Sequence, residues 1–278
     1  MINEEQTPVL LAPEPVAPVQ SVKPARSLLS AAGRAIGDFD MIREGDRVLL
    51  GLSGGKDSLS MLHVLLDLQK RAPIRFELAA VTVDPQSPDF DPSPLKGYLA
   101  GLGVKYFYES QPIVEQAKKS LQGDSFCAFC SRMRRGILYR TARENGYNVL
   151  ALAQHLDDLA ETFLMSAFFG GKLRTMKAHY LNDAKDIRVI RPFVYVRERQ
   201  TADFARHAGL PVIAENCPAC FGMPTQRMHM KTVLSQLETA NNKLFSSLLT
   251  AMRPLMEDVD HVGTTVNGSK IVEVPEEL

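Results

Sequence analysis

Residues 53–58 read Ser-Gly-Gly-Lys-Asp-Ser and combine two glycines with a lysine and two hydroxyl groups. Glycine lets the backbone come close to an anion, and free N–H groups at the start of a helix point toward it. The ammonium group of Lys56 and the hydroxyls of Ser53 and Ser58 add further donors. The segment therefore predicts a site that binds phosphate groups.

This segment differs from the Walker phosphate loop in two positions. Leu50 stands where that loop has its first glycine, and Asp57 follows the lysine where Ser or Thr would bind magnesium. A Gly-Gly pair alone is often only a turn, but six suitable residues between a strand and a helix favour anion binding. The pattern thus disfavours transfer of a γ-phosphate group.

A second polar segment, residues 154–158, reads Gln-His-Leu-Asp-Asp. Two carboxylates beside phosphate groups would repel them unless Mg²⁺ lay between, so we predict Asp57 and Asp158 as magnesium ligands and, with Lys56, as catalytic residues. The alternative is that Asp157 and Asp158 cap the following helix, a role compatible with the first. His155 has a purely structural alternative.

The four cysteines form two C-x-x-C pairs, Cys127 with Cys130 and Cys217 with Cys220. In a reducing compartment such pairs are metal, cluster or redox sites more often than disulfides. Their spacing does not choose among these, and a structural zinc site with four thiolates is one alternative.

The chain has 32 basic and 32 acidic residues, so its composition gives no general attraction to nucleic acid. Any RNA site must be a local patch. Arg132, Arg135 and Arg143 share one face of a predicted helix beside the first cysteine pair, and Lys172 and Arg174 form a second basic run. Both sets suit RNA phosphates, and the alternative is a solvated surface with charge pairs.

Apolar segments alternate with helical patterns and carry these polar groups. Strands are predicted at residues 47–52, 76–83 and 149–153, and each ends at a polar group: residues 53–58, Asp84 and residues 154–158, respectively. Alternation of this kind predicts an α/β fold with a doubly wound, mostly parallel sheet. Ligands of such sheets bind beyond the carboxyl ends of the strands, where all three polar groups should lie.

The sequence divides into four parts. Residues 1–25 are rich in proline and are predicted to be a disordered tail. Residues 26–195 form the α/β domain, with its cysteine-bearing segment at 123–136, and residues 196–257 form a helical C-terminal appendage with the second cysteine pair. Residues 258–278 are predicted to be a mobile tail.

The absence of a signal peptide and of an apolar run of roughly 20 residues predicts a cytoplasmic protein with no membrane contact.

Residues 53–58 resemble the signature of the PP-loop ATP pyrophosphatases, which have the adenine nucleotide alpha hydrolase-like fold, adenylate a substrate and release pyrophosphate. Residues 126–140, Phe-Cys-Ala-Phe-Cys-Ser-Arg-Met-Arg-Arg-Gly-Ile-Leu-Tyr-Arg, resemble the cysteine motif of the tRNA 2-thiocytidine synthetase group. The resemblance covers about residues 27–255. Residues 154–158 are similar to that group's His-His-x-Asp-Asp run, with Gln154 in place of the first histidine.

The resemblance implies ATP, Mg²⁺ and a [4Fe–4S] cluster as cofactors. The residues implied to bind the nucleotide are Ser53, Gly54, Gly55, Lys56, Asp57, Ser58, Asp84 and His155. Cys127, Cys130 and Cys220 are implied to be the cluster's three ligands, which would leave one iron open to sulfur. Cys217 is an alternative third ligand, a fourth ligand or a sulfur-carrying thiol.

The implied activity is ATP-dependent sulfur transfer to C2 of an anticodon-loop cytidine in tRNA. A cysteine desulfurase is the implied sulfur donor, and a homodimer is the implied assembly. The alternatives are the same chemistry on another base or a small molecule, and a protein without catalysis that senses metal or nucleotide.

Overall fold

A seven-stranded sheet organises the chain in the computed structural model, which describes residues 9–10, 21–87, 90–120, 126–213 and 226–257. The strands are β1 Val9–Leu10, β2 Arg47–Gly51, β3 Glu77–Asp84, β4 Lys105–Ser110, β5 Val149–Ala151, β6 His179–Leu181 and β7 Arg188–Ile190. The helices are α1 Arg26–Asp38, α2 Lys56–Arg71, α3 Ser93–Gly101, α4 Ile113–Ser120, α5 Phe126–Glu144, α6 Leu156–Gly170, α7 Glu198–His207, α8 Gln226–Ala240 and α9 Leu244–Met256.

The strand order is β1-β4-β3-β2-β5-β7-β6. The five central strands run parallel, whereas β1 and β6 pair antiparallel at the two edges. Strands β2, β5 and β7 are mostly apolar, as expected where both faces of a parallel sheet are covered. The predicted doubly wound, mostly parallel sheet is therefore confirmed.

The chain changes direction in the sheet between β2 and β5. From β2 it proceeds outward through β3 to β4, and it then returns to the other side of β2 to form β5. A crevice opens at the carboxyl ends of two strands where the order reverses in this way, and ligands of open α/β sheets bind there. The two predicted motifs directly follow these two strands.

Side chains of β2 alternate between two hydrophobic layers. Val48 and Leu50 face the larger layer, which includes residues of α1, α2, α3 and α6, while Leu49 faces a smaller layer that includes Ala142 of α5. Helices thus cover both faces of the sheet, and α5 lies on the face opposite α2.

The C-terminal helices belong to the larger layer. Phe204 of α7, Leu234 of α8 and both Phe245 and Met252 of α9 are buried in the same cluster as the strands. Helix α7 packs on α2, and α8 and α9 pack on α6. The region predicted as a helical appendage is therefore continuous with the core of the sheet domain.

Several elements differ from the sequence-based expectation. Val9 and Leu10, inside the segment predicted to be disordered, form a strand that pairs with Tyr108 and Phe107 of β4. Helix α5 begins at Phe126, so both cysteine positions of the first pair lie in the helix. Helix α4 and strand β6 were not predicted. The predicted tail at 258–278 lies outside the described residues.

Within the described part of the chain, no helix is both long and apolar enough to cross a membrane.

Candidate active site

Three helices begin next to one another at the carboxyl edge of the sheet. Lys56 is the first residue of α2, Leu156 of α6 and Glu198 of α7. Lys56 Nζ lies 3.0 Å from Glu198 Oε1, and the backbone N–H of Leu156 donates to the carbonyl of Val196, two residues before Glu198. Helix starts carry partial positive charge and unsatisfied N–H groups, so three together favour an anion.

The glycine loop connects β2 to α2 and needs glycine at residue 54. Gly54 has φ +86°, and a Cβ atom there would lie 2.3 Å from Cδ1 of Ile213. The hydroxyl of Ser53 accepts from the N–H of Gly55 at 3.2 Å, and the hydroxyl of Ser58 donates to the carbonyl of Gly55 at 3.0 Å. These bonds hold the loop in a tight bend at the start of α2.

Lys56 lies between two carboxylates. Its Nζ is 2.8 Å from Asp57 Oδ2 and 3.0 Å from Glu198 Oε1, and Glu198 Oε2 accepts from Lys231 Nζ at 2.6 Å. Burial alone would lower the pKa of Lys56, but the two carboxylates outweigh it and raise that pKa. Burial alone would raise the pKa of Glu198, but Lys231 and Lys56 outweigh it and lower that pKa to about 2. Lys56 and Glu198 are therefore both charged at neutral pH.

His155 is buried and lies between two of the predicted site carboxylates. The imidazole Nδ1 accepts from the backbone N–H of Asp158 at 3.3 Å, and the backbone N–H of His155 donates to Asp158 Oδ2 at 3.0 Å. These two bonds form a capping box at the start of α6. The other ring nitrogen, Nε2, lies 3.8 Å from Asp57 Oδ2. His155 thus holds Asp57 and Asp158 on either side of one imidazole.

The two carboxylates beside this imidazole are of a type that binds magnesium. Asp57 and Asp158 each offer carboxylate oxygen, and Mg²⁺ in phosphate-binding sites is usually held by one or two carboxylates together with substrate phosphates and water. Asp57 also accepts from the hydroxyl of Thr201, and Asp158 pairs with Arg227 at 3.3 Å. Among the residues that the structure describes, no group of three or more His, Cys, Asp and Glu side chains is arranged to hold a metal ion.

Asp157 has a different task from its neighbour Asp158. It accepts from Arg197 at 3.0 Å and from the N–H of Glu198 at 2.7 Å, so it caps the start of α7. Arg197 also pairs with Glu238 of α8 at 2.7 Å. Asp157 therefore joins three helices, and it caps α7, whereas the capping alternative placed it on the following helix, α6.

Asp84 ends β3 beside the glycine loop, because Val81 pairs with Gly51 of β2. Its carboxylate accepts from the hydroxyl of Tyr108 at 2.5 Å and from the N–H of Gln86 at 2.7 Å. Burial and the bond to Asp84 raise the pKa of Tyr108 to about 12. The three polar groups predicted at strand ends thus occur at one edge of the sheet.

Comparison with known proteins assigns the chain to a family. The PP-loop domain matches residues 28–217. A tRNA-cytidine(32) 2-sulfurtransferase from Geobacter sulfurreducens is 42% identical over 228 residues, which cover 82% of this chain and 89% of that protein. The chain belongs to the tRNA-cytidine 2-sulfurtransferase group of the PP-loop family. The predicted family is confirmed, and the chain is a sulfurtransferase-family enzyme.

Two further relatives agree with this assignment. The tRNA-cytidine(32) 2-sulfurtransferase of Syntrophotalea carbinolica is 44% identical over 82% of this PP-loop protein and 88% of its own length. The solved structure of U34-tRNA thiolase NcsA from Methanococcus maripaludis, with its [4Fe-4S] cluster, matches 85% of this chain and 78% of NcsA with a TM-score of 0.70 and 23% identity. NcsA shows that the two proteins share a fold.

The first cysteine pair of this PP-loop protein lies in the first turns of α5. The two cysteine positions are three residues apart along this helix. Cys130 is partly buried. Cys217 and Cys220 lie outside the described residues. The described chain ends just before them at Ile213, whose N–H donates to the carbonyl of Gly54 at 3.0 Å, so the segment with the second pair begins at the glycine loop.

The arginines of α5 separate into two groups. Arg132 and Arg135 are exposed near the cysteine end of the helix. Arg143 is exposed but pairs with Asp186 at 2.5 Å, and it lies eleven residues, or roughly 16 Å, from Arg132 along the helix. The structure therefore places Arg143 well away from the cysteine end.

The second basic run follows α6. Lys172 and Arg174 are exposed, and the loop turns back along the helix, because Thr175 donates its hydroxyl to the carbonyl of Leu159 at 2.8 Å. Leu159 is one residue after Asp158. Arg174 therefore lies near the active-site end of α6, while Lys172 lies nearer its other end.

The residues of the site that escaped the sequence analysis include Arg197, Glu198, Thr201, Arg227 and Lys231. The strongest available signal was the acidic type of Glu198 near the start of α7, where acidic residues are common for local reasons. Nothing local indicates that this residue contacts Lys56, 142 positions earlier.

Proposed function

We propose that the protein uses ATP to replace the C2 oxygen of an anticodon-loop cytidine in tRNA with sulfur, giving 2-thiocytidine. One observation supports this most directly. The glycine loop, the carboxylates of Asp57 and Asp158, and the start of the segment that carries Cys217 and Cys220 meet at one edge of the sheet. We therefore infer that nucleotide and sulfur chemistry take place at this edge.

In the first step the cytidine oxygen attacks the α-phosphorus of ATP. A bond forms between that oxygen and phosphorus, and the bond between the α- and β-phosphates breaks, so pyrophosphate leaves. Residues 53–58 bind the phosphates, and Lys56 at the start of α2 offsets charge on the leaving group. Mg²⁺ held by Asp57 and Asp158 would supply further charge neutralisation when bound.

In the second step sulfide attacks C2 of the activated base, the bond from C2 to oxygen breaks, and AMP leaves with that oxygen. Splitting the exchange into two displacements lowers the barrier of each. A [4Fe–4S] cluster on Cys127, Cys130 and Cys220 would, when bound, supply a place that holds sulfur. The protein itself contributes by holding the reactants close together in the orientation that the reaction requires.

The substrate is recognised by local basic residues on a chain of zero net charge. Arg132 and Arg135 follow the first cysteine pair in α5, Arg174 lies near the start of α6, and Lys172 lies nearer the other end of α6. We propose that these contact tRNA phosphates, as expected for single-stranded RNA in a basic groove. Arg143 would contact tRNA only far from the cysteine end of α5.

A cysteine desulfurase as sulfur donor, a homodimer and a cytoplasmic location stay predictions.

The activity is tested with protein purified and reconstituted without oxygen, then mixed with tRNA, ATP, Mg²⁺ and sulfide. We expect AMP release and 2-thiocytidine in the digested tRNA by mass spectrometry. The matched controls are Lys56→Met protein and a tRNA whose cytidine 32 is replaced by uridine, and both should give neither product. AMP release with free nucleotides but not with tRNA would reject the tRNA substrate in favour of a small molecule.

The cluster is tested separately by iron and zinc counts with an absorption spectrum. Cys127→Ala and Cys220→Ala should lose the cluster, while Cys217→Ala should retain it. The reverse result for Cys217 and Cys220 would exchange their roles. Zinc without iron in protein purified anaerobically would replace the cluster by a structural metal site.

A further inference from the structure

Glu198 joins two lysines that come from different parts of the chain. Lys56 begins α2 at the glycine loop, and Lys231 lies in the second turn of α8. Each ammonium group contacts a different oxygen of the same carboxylate, at 3.0 Å and 2.6 Å. The two positive charges therefore converge on one anionic group.

We propose that Lys231 is a phosphate-binding residue of the nucleotide site and that the carboxylate of Glu198 competes with phosphate for Lys56 and Lys231. This inference rests on the proposed binding of ATP at residues 53–58. A phosphate group presents two oxygens along one edge as a carboxylate does, so it can accept from the same two donors.

The location of Lys231 supports this role. Lys56 is in the loop that binds phosphate, and Lys231 reaches the same carboxylate as Lys56 does, so a phosphate on Lys56 lies within reach of both. Lys231 is also half-exposed, with 55% of its side chain accessible, and can move by rotating about its bonds. Glu198, at 23%, is more confined.

The balance of charge explains why Glu198 acts as a competitor. Lys56 and Lys231 together carry two positive charges, and Asp57 and Glu198 carry two negative charges. Pyrophosphate and the triphosphate of ATP carry more negative charge than one carboxylate, so they attract the two lysines more strongly. Removal of the charge on Glu198 should therefore strengthen phosphate binding, while removal of Lys231 should weaken it.

A consequence concerns the second cysteine pair. Helix α8 begins six residues after Cys220. Contact between Lys231 and a phosphate would tie this helix to the nucleotide and so connect the nucleotide with the chain on the C-terminal side of the cysteines.

The experiment measures binding of ATP, pyrophosphate and AMP to the full chain by titration calorimetry with Mg²⁺ present. The variants are Lys231→Met and Glu198→Gln, and Lys243→Met, just before the start of α9, is the matched lysine control. For Lys231→Met we expect about tenfold weaker binding of ATP and pyrophosphate, with AMP within about twofold of wild type. For Glu198→Gln we expect pyrophosphate to bind about threefold or more tightly than to wild type. Lys243→Met should match wild type.

Unchanged pyrophosphate binding by Lys231→Met would overturn the role of Lys231. Weaker pyrophosphate binding by Glu198→Gln would show that Glu198 positions the lysines, and the competition would be wrong. If Lys231→Met does not fold by circular dichroism, Glu198→Gln decides alone. Wild-type protein that binds ATP but does not thiolate tRNA would reject the proposed function and leave this inference intact, whereas failure to bind either ATP or pyrophosphate would reject both.

Discussion

At the scale of single residues, the site keeps several carboxylates close together by giving each its own partner. Asp57 pairs with Lys56 at 2.8 Å, Asp157 with Arg197 at 3.0 Å, and Asp158 caps α6 through His155. A buried carboxylate without a partner would be costly. The three acids thus have three different tasks, although two of them are adjacent in sequence.

Gly54 has a backbone conformation that L-residues rarely adopt, and its missing side chain makes room for Ile213. We expect Gly54→Ala to weaken ATP binding at least about tenfold, because the loop must shift away from its bend. Titration calorimetry measures this. Gly33→Ala on α1 is the control, since a Cβ there meets nothing within 4 Å and should raise stability by about 0.5–1 kcal/mol. Normal ATP affinity in Gly54→Ala would contradict the prediction.

His63 of α2 is fully buried beside Tyr98, and burial lowers its pKa from 6.5 to about 4. The unfolded chain then binds a proton at a pH where the folded chain does not, so the stabilisation present above pH 6.5 is lost as pH falls toward 4. Relative to His63→Gln, the wild type should lose about 2 kcal/mol of unfolding free energy between pH 7.5 and 5, measured with urea.

Tyr98→Phe is the control for His63, because it removes the hydroxyl 2.6 Å from the imidazole and keeps the ring packing. This variant should retain the wild-type pH dependence, since burial is the main cause of the shift. Equal pH dependence in wild type and His63→Gln would show that His63 titrates normally in the folded chain.

At the scale of elements, α5 is fixed to the sheet in its second half. Glu109 of β4 is buried and accepts from Arg140 at 2.9 Å and from the hydroxyl of Thr141 at 2.6 Å. The cysteine positions lie in the first turns of the same helix. The anchored half therefore sets the direction in which the cysteine half projects.

Arg140→Ala should destabilise the protein by about 2 kcal/mol, because Glu109 would stay buried without its cationic partner. Arg143→Ala, three residues later on the same helix, is the matched control. Both members of the pair between Arg143 and Asp186 are about 40% exposed, so this change should cost less than about 1 kcal/mol. Urea unfolding of both variants measures the difference, and equal costs would contradict it.

At the scale of the whole molecule, one hydrophobic layer joins the N-terminal helix, the glycine-loop helix and the C-terminal helices. The candidate active site lies where α2, α6 and α7 begin, next to this layer. Its geometry therefore depends on residues that are far from it in sequence, including those of α9. The sheet domain and the C-terminal helices should unfold together.

Met252 of α9 is fully buried in this layer, and Leu237 of α8 is 48% exposed. Met252→Ala should lower the unfolding free energy by about 2–5 kcal/mol, because it leaves a cavity in the shared core. Leu237→Ala should change it by less than about 0.5 kcal/mol. Circular dichroism and tyrosine fluorescence should give one coincident transition for Met252→Ala. A separate, earlier loss of helix would show that the C-terminal helices form an independent unit.

The sequence alone determined the class of fold and the edge of the sheet where we propose that chemistry occurs. Strands such as Arg47–Gly51 and helices such as Lys56–Arg71 follow from the periodicity of apolar residues. Residues 53–58 include the glycines and the hydrogen-bond donors that an anion site requires, so their types alone indicate it. These signals are local, because they arise from the hydrogen bonds and burial of neighbouring residues. The positions of Asp84 and His155 at strand ends were predictable for the same reason.

Only the tertiary structure decided which charges face one another. The contact of Glu198 with Lys56 and Lys231, the capping of α7 by Asp157, and the contact of Ile213 with Gly54 join residues far apart in sequence. Such pairs are created by helix packing, and a charged residue at a helix start looks the same in sequence whether its partner is water, phosphate or a distant lysine. The different partners of Asp57, Asp157 and Asp158 are therefore a property of the folded chain.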